Sequence, residues 1–287
     1  MATLLKGAAV AKTLTEKVKA RADALCEKGV YPTLAIIRLG ERDDDMAYER
    51  GAKKRCEQAG VAVRTHALPL DTPQDMLLSL IKNINADDTV HGVLIMRPLP
   101  AHISDEAVVN TLSPAKDVDG ITPGSQAAVY SGYGEGFAPC TAQACIEILK
   151  GYDISLVGKK VAVVGRSLVI GKPVSMLLLA NNATVTTCHT KTRDLAAVCR
   201  DSEIVIAAAG KAKVIGKEHF AEGQVVIDVG IHANEDGSLC GDVDTDSALD
   251  IVSAITPVPG GVGAVTTSVL IDHVVTAAEK ITKENEK

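Results

Sequence analysis

The chain has 287 residues, 46% of them hydrophobic but only 2% aromatic, and a formal charge of −6. That length exceeds one typical core and predicts two domains, and a core of Ala, Val, Ile and Leu suits sheets covered by helices on both faces. The charge excludes a basic nucleic-acid footprint, no apolar run reaches membrane-spanning length, and Met1 to Lys12 lacks the apolar stretch of a secretory signal; a cytoplasmic protein without nucleic-acid or membrane partners is expected.

In chain order, apolar residues recur at helical spacing from Ala8 to Glu27. A short β-rich run, Thr33 to Leu39, ends at Gly40. The acidic loop Glu41 to Asp45 leads into a predicted helix from Met46 to Ala59, stopped by Gly60. Val61 to Leu68 reads as a strand, and Thr72 to Asn85 as a helix with Pro73 in its first turn. Val90 to Met96 is a buried strand, ended by Arg97-Pro-Leu-Pro100 because Pro98 and Pro100 lack donors. After the loop Lys116 to Pro123, a helix is expected from Thr141, as its N-cap, to Tyr152. A second unit starts with the strand Lys159 to Val164, the tight loop Gly165 to Gly171 and the helix Lys172 to Asn181. Strands recur at Thr184 to Cys188, Ile204 to Ala208, Val225 to Val229 and Val252 to Ile255, and a helix runs from Thr267 to Thr282. The alternation predicts an α/β fold of two α/β domains with a Rossmann-type parallel sheet in the second.

Several stretches offer chemistry. Thr256 to Thr267, TPVPGGVGAVTT, combines two prolines with three glycines in four positions, more than a plain strand-to-helix turn requires; it reads as a loop bringing backbone close to a ligand. Gly165-Arg-Ser-Leu-Val-Ile-Gly171 stands between strand and helix, where helix amides meet a phosphate, although its spacing is not GxGxxG. Thr190 and Lys191 follow the next strand, at the place where an NAD-specific site carries an acid. Hydroxyl and amine there tilt toward a 2′-phosphate; equally, Lys191 and Arg193 start a solvated helix. Tyr48 is either a core tyrosine or a ring lining a site. Four residues on stands Ala52, while Lys53 and Lys54 turn away from the Tyr48 face. Lys116-Asp-Val-Asp-Gly120 reads as a turn with solvated acids, and Cys140, with no histidine near it in sequence, as a buried thiol. Asp228-Val-Gly230 and Gly241-Asp-Val243 read as loop-shaping. The seven cysteines, scattered and without CxxC, read as reduced thiols, and no metal site is indicated.

Together these stretches resemble the methylenetetrahydrofolate dehydrogenase/cyclohydrolase family, FolD. The resemblance is carried by Tyr48 to Gly60, Arg97-Pro-Leu-Pro100, Lys116-Asp-Val-Asp-Gly120, Pro139-Cys-Thr141, Val163 to Pro173, Ile227-Asp-Val-Gly-Ile231, Gly241-Asp-Val243 and Pro257 to Gly263, in the family's order. It implies an N-terminal folate domain over 1–145, completed by the C-terminal helix 267–287, and a nicotinamide-binding Rossmann domain over 146–266, with a cleft between them. It also implies hydride transfer from methylenetetrahydrofolate to NADP or NAD, and a homodimer. Asp119 matches the aspartate that holds the pterin, Tyr48 the substrate-site tyrosine, and Pro259, Gly260 and Gly261 the loop beside folate and nicotinamide. Gly165, Arg166, Ser167, Gly171, Thr190, Lys191 and Ile231 match the cofactor side. The departures bear on the second activity. Family members that hydrolyse methenyltetrahydrofolate carry YVxxK and VQLPLP; the Lys falls on Ala52 and the Gln on Met96. The resemblance therefore implies a dehydrogenase with weak or absent cyclohydrolase activity, served by a separate cyclohydrolase or other one-carbon enzyme. Two alternatives are a bifunctional enzyme using Lys53 and a non-catalytic folate-binding subunit.

Overall fold

The computed structural model describes residues 2–285, which form two compact units. One comprises Lys12–Cys140 and the chain from Thr267 onward; the other comprises the chain up to Ala11 and Thr141–Thr266. These boundaries differ from the expected 1–145 and 146–266 mainly at the start of the chain. The opening residues pair into the later sheet and so leave the first unit. The end of the expected 267–287 segment, Glu286 and Lys287, lies outside the described residues.

The chain opens with β1 (Thr3–Leu4) and α1 (Gly7–Cys26). Next come β2 (Thr33–Leu39), α2 (Asp43–Ala59), β3 (Ala62–Leu68), α3 (Gln74–Asn85) and β4 (Gly92–Ile95), then α4 (Asp105–Thr111), α5 (Pro123–Ser131) and α6 (Cys140–Gly151). The later part contains β5 (Lys160–Val164), α7 (Gly171–Ala180), β6 (Thr184–Cys188), α8 (Leu195–Arg200), β7 (Ile204–Ala207) and β8 (Val225–Asp228). It ends with the hairpin β9 (His232–Ala233) and β10 (Leu239–Cys240), α9 (Thr245–Ala248), β11 (Ala254–Ile255) and α10 (Gly263–Asn285).

In the first unit, β3-β2-β4 form a parallel sheet with the fully buried β2 at its centre. Ala35, Ile37, Val93 and Ile95 pack on Leu77, Ile81 and Ile84 of α3. Helix α2 begins three residues before the expected Met46 because Asp43, Asp44 and Asp45 occupy its first turn, where carboxylates meet the positive end of the helix dipole. Pro73 stands just before α3, whose first residue is Gln74. The last helix packs on α1: Arg21 reaches both Glu279 oxygens at 2.7 and 2.8 Å, Asp272 at 2.5 Å and Thr276 at 2.8 Å. These contacts give a physical reason for α10 to belong with this unit from Thr267 onward.

In the second unit six parallel strands run in the order β1-β11-β8-β7-β5-β6. Strand β1 pairs with β11 through Thr3 with Ala254 and Leu4 with Ile255. From β5 the chain steps to β6 on one side and then returns to β7 on the other. The carboxyl ends of β5 and β7 therefore mark the switch point, where open α/β sheets bind ligands. Ala162, Val164, Val205, Ala207, Val226 and Ile255 form one buried layer with Phe220 and Cys199.

Candidate functional site

A cavity of about 730 Å³ opens at that switch point, lined by Gly165, Arg166, Ser167, Ile170, His189, Thr190, Ala208 to Gly210, Ile231, His232 and Asp242, among others. Gly165 follows β5 with φ 144°, and a Cβ there would overlap the Ala208 carbonyl oxygen. Only glycine lets the two strand ends approach so closely. Gly171 does not line the cavity; its missing side chain lets α7 start against the Gly165 carbonyl. Ser167 caps that helix, its Oγ accepting N–H from Ile170 at 3.1 Å and Gly171 at 3.4 Å. The hydroxyl thus has a structural task in addition to facing the cavity. Thr190 lines the cavity, whereas Lys191 is exposed and outside the lining. His189 accepts the Lys191 N–H at Nδ1, 3.1 Å away, which places its ring proton on Nε2.

Asp242 lines this cavity, and Asp228, which accepts the Asp242 N–H, lines the second cavity described below. Asp242 is fully buried, accepts N–H from Gly210 at 2.9 Å and Lys211 at 3.1 Å, and meets His232 Nε2 at 2.7 Å. It ties the turn after β7 to the β9 hairpin. Asp228, 1% exposed, accepts N–H from Gly230, Asp242 and Val243, each at 3.0 Å. Burial lifts its carboxyl to about 6, opposed by those three N–H groups. His232 and Asp242 were not among the expected site residues. The Gly241-Asp-Val243 turn carried the available signal, but its partners are up to 32 residues away in sequence.

A second cavity, about 200 Å³, is lined by Pro257 to Ala264, Asp228 to Ile231 and Leu239. Pro259, Gly260 and Gly261 lie on it, and Ile231 borders both cavities. The loop is pinned from below: Gly7 N–H donates to the Gly260 carbonyl at 2.9 Å. A Cβ at Gly261 would stand 2.5 Å from the Pro257 carbonyl oxygen.

Tyr48 and Asp119 belong to the other unit. Asp119 is partly accessible, yet its local burial raises the carboxyl to about 6, while Cys140 and the Arg97 guanidinium pull it down. Cys140 is the first residue of α6, so Thr141 lies inside the helix instead of capping it. The Asp119 carboxylate, from another segment, lies close to this helix end, beside Cys140. The thiol itself is buried and pushed well above its usual range, first by burial and then by Asp119. The tertiary structure also brings His273 to 3.9 Å from this sulfur, a neighbour absent from the local sequence.

Tyr48 stands on α2, half-buried; Ala52 on the same helix is 0% exposed, and Met96, after β4, is 6% exposed. Beside them Glu49 is 4% exposed, with Lys53 Nζ at 2.5 Å and Arg38 Nε at 2.9 Å from its two oxygens. The Arg38 contact is an ion pair whose N–H is not aimed at the oxygen. Lys53 is therefore held by its own helix neighbour four residues back. Among the described residues no group of His, Cys, Asp and Glu could hold a metal ion, and no helix is long and apolar enough to cross a membrane.

The sequence matches the tetrahydrofolate dehydrogenase/cyclohydrolase catalytic domain over residues 5–119 and the NAD(P)-binding domain of the same family over 139–282. It is 48% identical over 276 residues to the bifunctional protein FolD of Clostridioides difficile (strain 630), covering 96% of each chain. Among solved structures it resembles the bifunctional enzyme FolD from Campylobacter jejuni, with TM-score 0.94 and 37% identity over 98% of this chain and 99% of that one. The Trypanosoma brucei methylenetetrahydrofolate dehydrogenase-cyclohydrolase, complexed with NADP cofactor and inhibitor, aligns with TM-score 0.89 and 34% identity over 97% and 98% of the two chains.

Proposed function

Since this chain belongs to the tetrahydrofolate dehydrogenase/cyclohydrolase family, we propose that it is a methylenetetrahydrofolate dehydrogenase in which the cyclohydrolase step is weak or absent. The observation that carries this reading is Ala52, fully buried on the Tyr48 helix where cyclohydrolase-competent members have lysine. Met96 stands where they have glutamine. A methyl group and a thioether move no protons, and general acid–base help is worth roughly 10²–10⁴-fold in rate. Lys53 is a poor substitute because Glu49 already engages its amine.

Hydride transfer depends on positioning and on the surrounding field more than on a proton shuttle. The switch-point cavity has the features a dinucleotide needs: a glycine turn, the amide end of α7 and a cation at Arg166. When bound there, the nicotinamide cofactor supplies the hydride acceptor. Arg166, Ser167 and Thr190 would hold its adenosine phosphates and ribose, and Ile231 and the Pro259 to Gly261 loop would border its ring. Arg166 and Thr190, with exposed Lys191 alongside, favour NADP over NAD. Asp119, ionised above about pH 6, accepts hydrogen bonds from the pterin N–H groups, and Tyr48 lines the same folate site. A homodimer, and a separate cyclohydrolase acting on the methenyl product, complete the proposal.

The test supplies methylenetetrahydrofolate with NADP⁺ or NAD⁺ and follows methenyl and formyl products separately. Methenyl should accumulate and decay only at the buffer rate. The double variant Ala52→Lys with Met96→Gln should hydrolyse it at least about 100-fold faster than the parent. Formyl production by the parent above the spontaneous rate would refute the loss, and Lys53→Ala would then identify the surrogate amine.

A further inference from the structure

The Asp119 peptide is anchored from the C-terminal helix. His273, on α10, is 7% exposed, and its Nδ1 lies 2.8 Å from the Val118 carbonyl oxygen. A carbonyl only accepts, so the ring proton must sit on Nδ1. Burial holds this imidazole below its usual range, with Lys280 adding to the effect and Asp272 and Asp117 opposing it. The ring is fixed by stacking on Phe137, with centroids 4.8 Å apart and planes at 28°, and Lys280 Nζ lies 5.0 Å from the Phe137 centroid.

The Val118 carbonyl has a second donor, the Cys140 thiol at 3.3 Å. That thiol also lies within hydrogen-bonding reach of the Asp119 carboxylate. One S–H serves one acceptor at a time, so when it turns to Asp119 the carbonyl depends on His273. On the other side of the loop the Asp117 carboxylate accepts N–H from Ile121 at 3.0 Å and Thr122 at 2.7 Å. Asp117 thus fixes the backbone just beyond Asp119, and His273 fixes the peptide plane that leads into it.

The geometry points to His273 as a positioning residue for the dehydrogenase reaction: its Nδ1–H sets the Val118–Asp119 peptide and through it aims the Asp119 carboxylate at the pterin. This rests on the reading of Asp119 as the pterin-binding acid.

The experiment compares His273→Leu, His273→Asn and Asp119→Asn in steady-state kinetics, with NADPH binding measured by calorimetry as a control. His273→Leu keeps the volume and removes the donor. It should raise KM for methylenetetrahydrofolate about tenfold, equivalent to about 1.4 kcal/mol, with kcat within about threefold and NADPH affinity unchanged. His273→Asn offers an amide N–H near the Nδ1 position and should restore KM to within about threefold of the parent. Asp119→Asn should raise KM more than either. A His273→Leu enzyme with parental KM while Asp119→Asn is impaired would overturn the positioning role and leave the pterin site standing. An Asn variant as poor as the Leu variant, or kcat, KM and NADPH affinity failing together, would also overturn it. A parental KM in Asp119→Asn would overturn the pterin reading itself and this inference with it.

Discussion

Replacing Asp228 by Asn sets two physical effects against each other. In the parent, Oδ1 accepts the N–H groups of Gly230 and Asp242, and Oδ2 that of Val243. An amide keeps one acceptor oxygen, so its NH₂ must face the Val243 N–H. Leaving that buried donor unpaired costs about 1–3 kcal/mol. Against this, burial raises the parent carboxyl from 3.8 to about 6. Between those values the folded chain holds a proton that the unfolded chain has released, so stability falls as pH rises through the window. The full loss, reached above about pH 6, is about 3 kcal/mol, of which about 1.4 kcal/mol is lost between pH 5 and 8. Asn carries no such cost. Asp228→Asn should therefore match the parent or exceed it by up to about 2 kcal/mol at pH 8, and fare about 1.4 kcal/mol worse, relative to the parent, at pH 5 than at pH 8. Urea unfolding of both proteins at the two pH values measures this difference, in which other titrating groups cancel. A variant destabilised most at pH 8, by more than about 3 kcal/mol, would refute the reasoning. The three N–H bonds would then outweigh desolvation and hold the carboxyl low.

Gly165→Ala places a methyl group on the Ala208 carbonyl and must separate the ends of β5 and β7. NADPH affinity by calorimetry should fall about 100-fold or more, equivalent to about 2.7 kcal/mol, and a Kd within threefold of the parent would show that the turn does not shape the nucleotide site. Burial pushes Cys56, Cys145 and Cys199 up to about 12 and Cys140 well above its usual range. Only Cys26 among the described cysteines is not buried. Native protein treated with iodoacetamide at pH 8 should carry one adduct, at Cys26, by peptide mass spectrometry; labelling of Cys140 at a similar rate would contradict its role as an inert donor.

Much of the fold was legible because local rules and tertiary demands agree. The short β-rich apolar runs Thr33 to Leu39 and Lys159 to Val164 mark strands, and each lies in a sheet as a buried element. Element ends were less legible where a distant group meets them. The start of α6 lies at Cys140, where the Asp119 carboxylate from another segment comes close to the helix end. The start of α2 moved to Asp43 because three carboxylates favour a helix end as readily as a loop. The first residues show the same limit: Thr3 and Leu4 carry no strand pattern of their own, and only their partners in β11 make them a strand.

The candidate site divides along the same line. Sequence by itself determined the residue types at fixed places in a motif: glycine at 165, aspartate at 119, and alanine and methionine at 52 and 96. Those identities follow from one-dimensional order and need no partner to be read. The tertiary structure decided which side chains serve one another. It set Asp242 against Gly210, Lys211 and His232, gave Lys53 to Glu49, and brought His273 across 155 residues to the Val118 carbonyl. Hydrogen bonds and desolvation act over a few ångströms of space whatever the separation along the chain, so the partners of a buried polar group become visible only once the chain is folded.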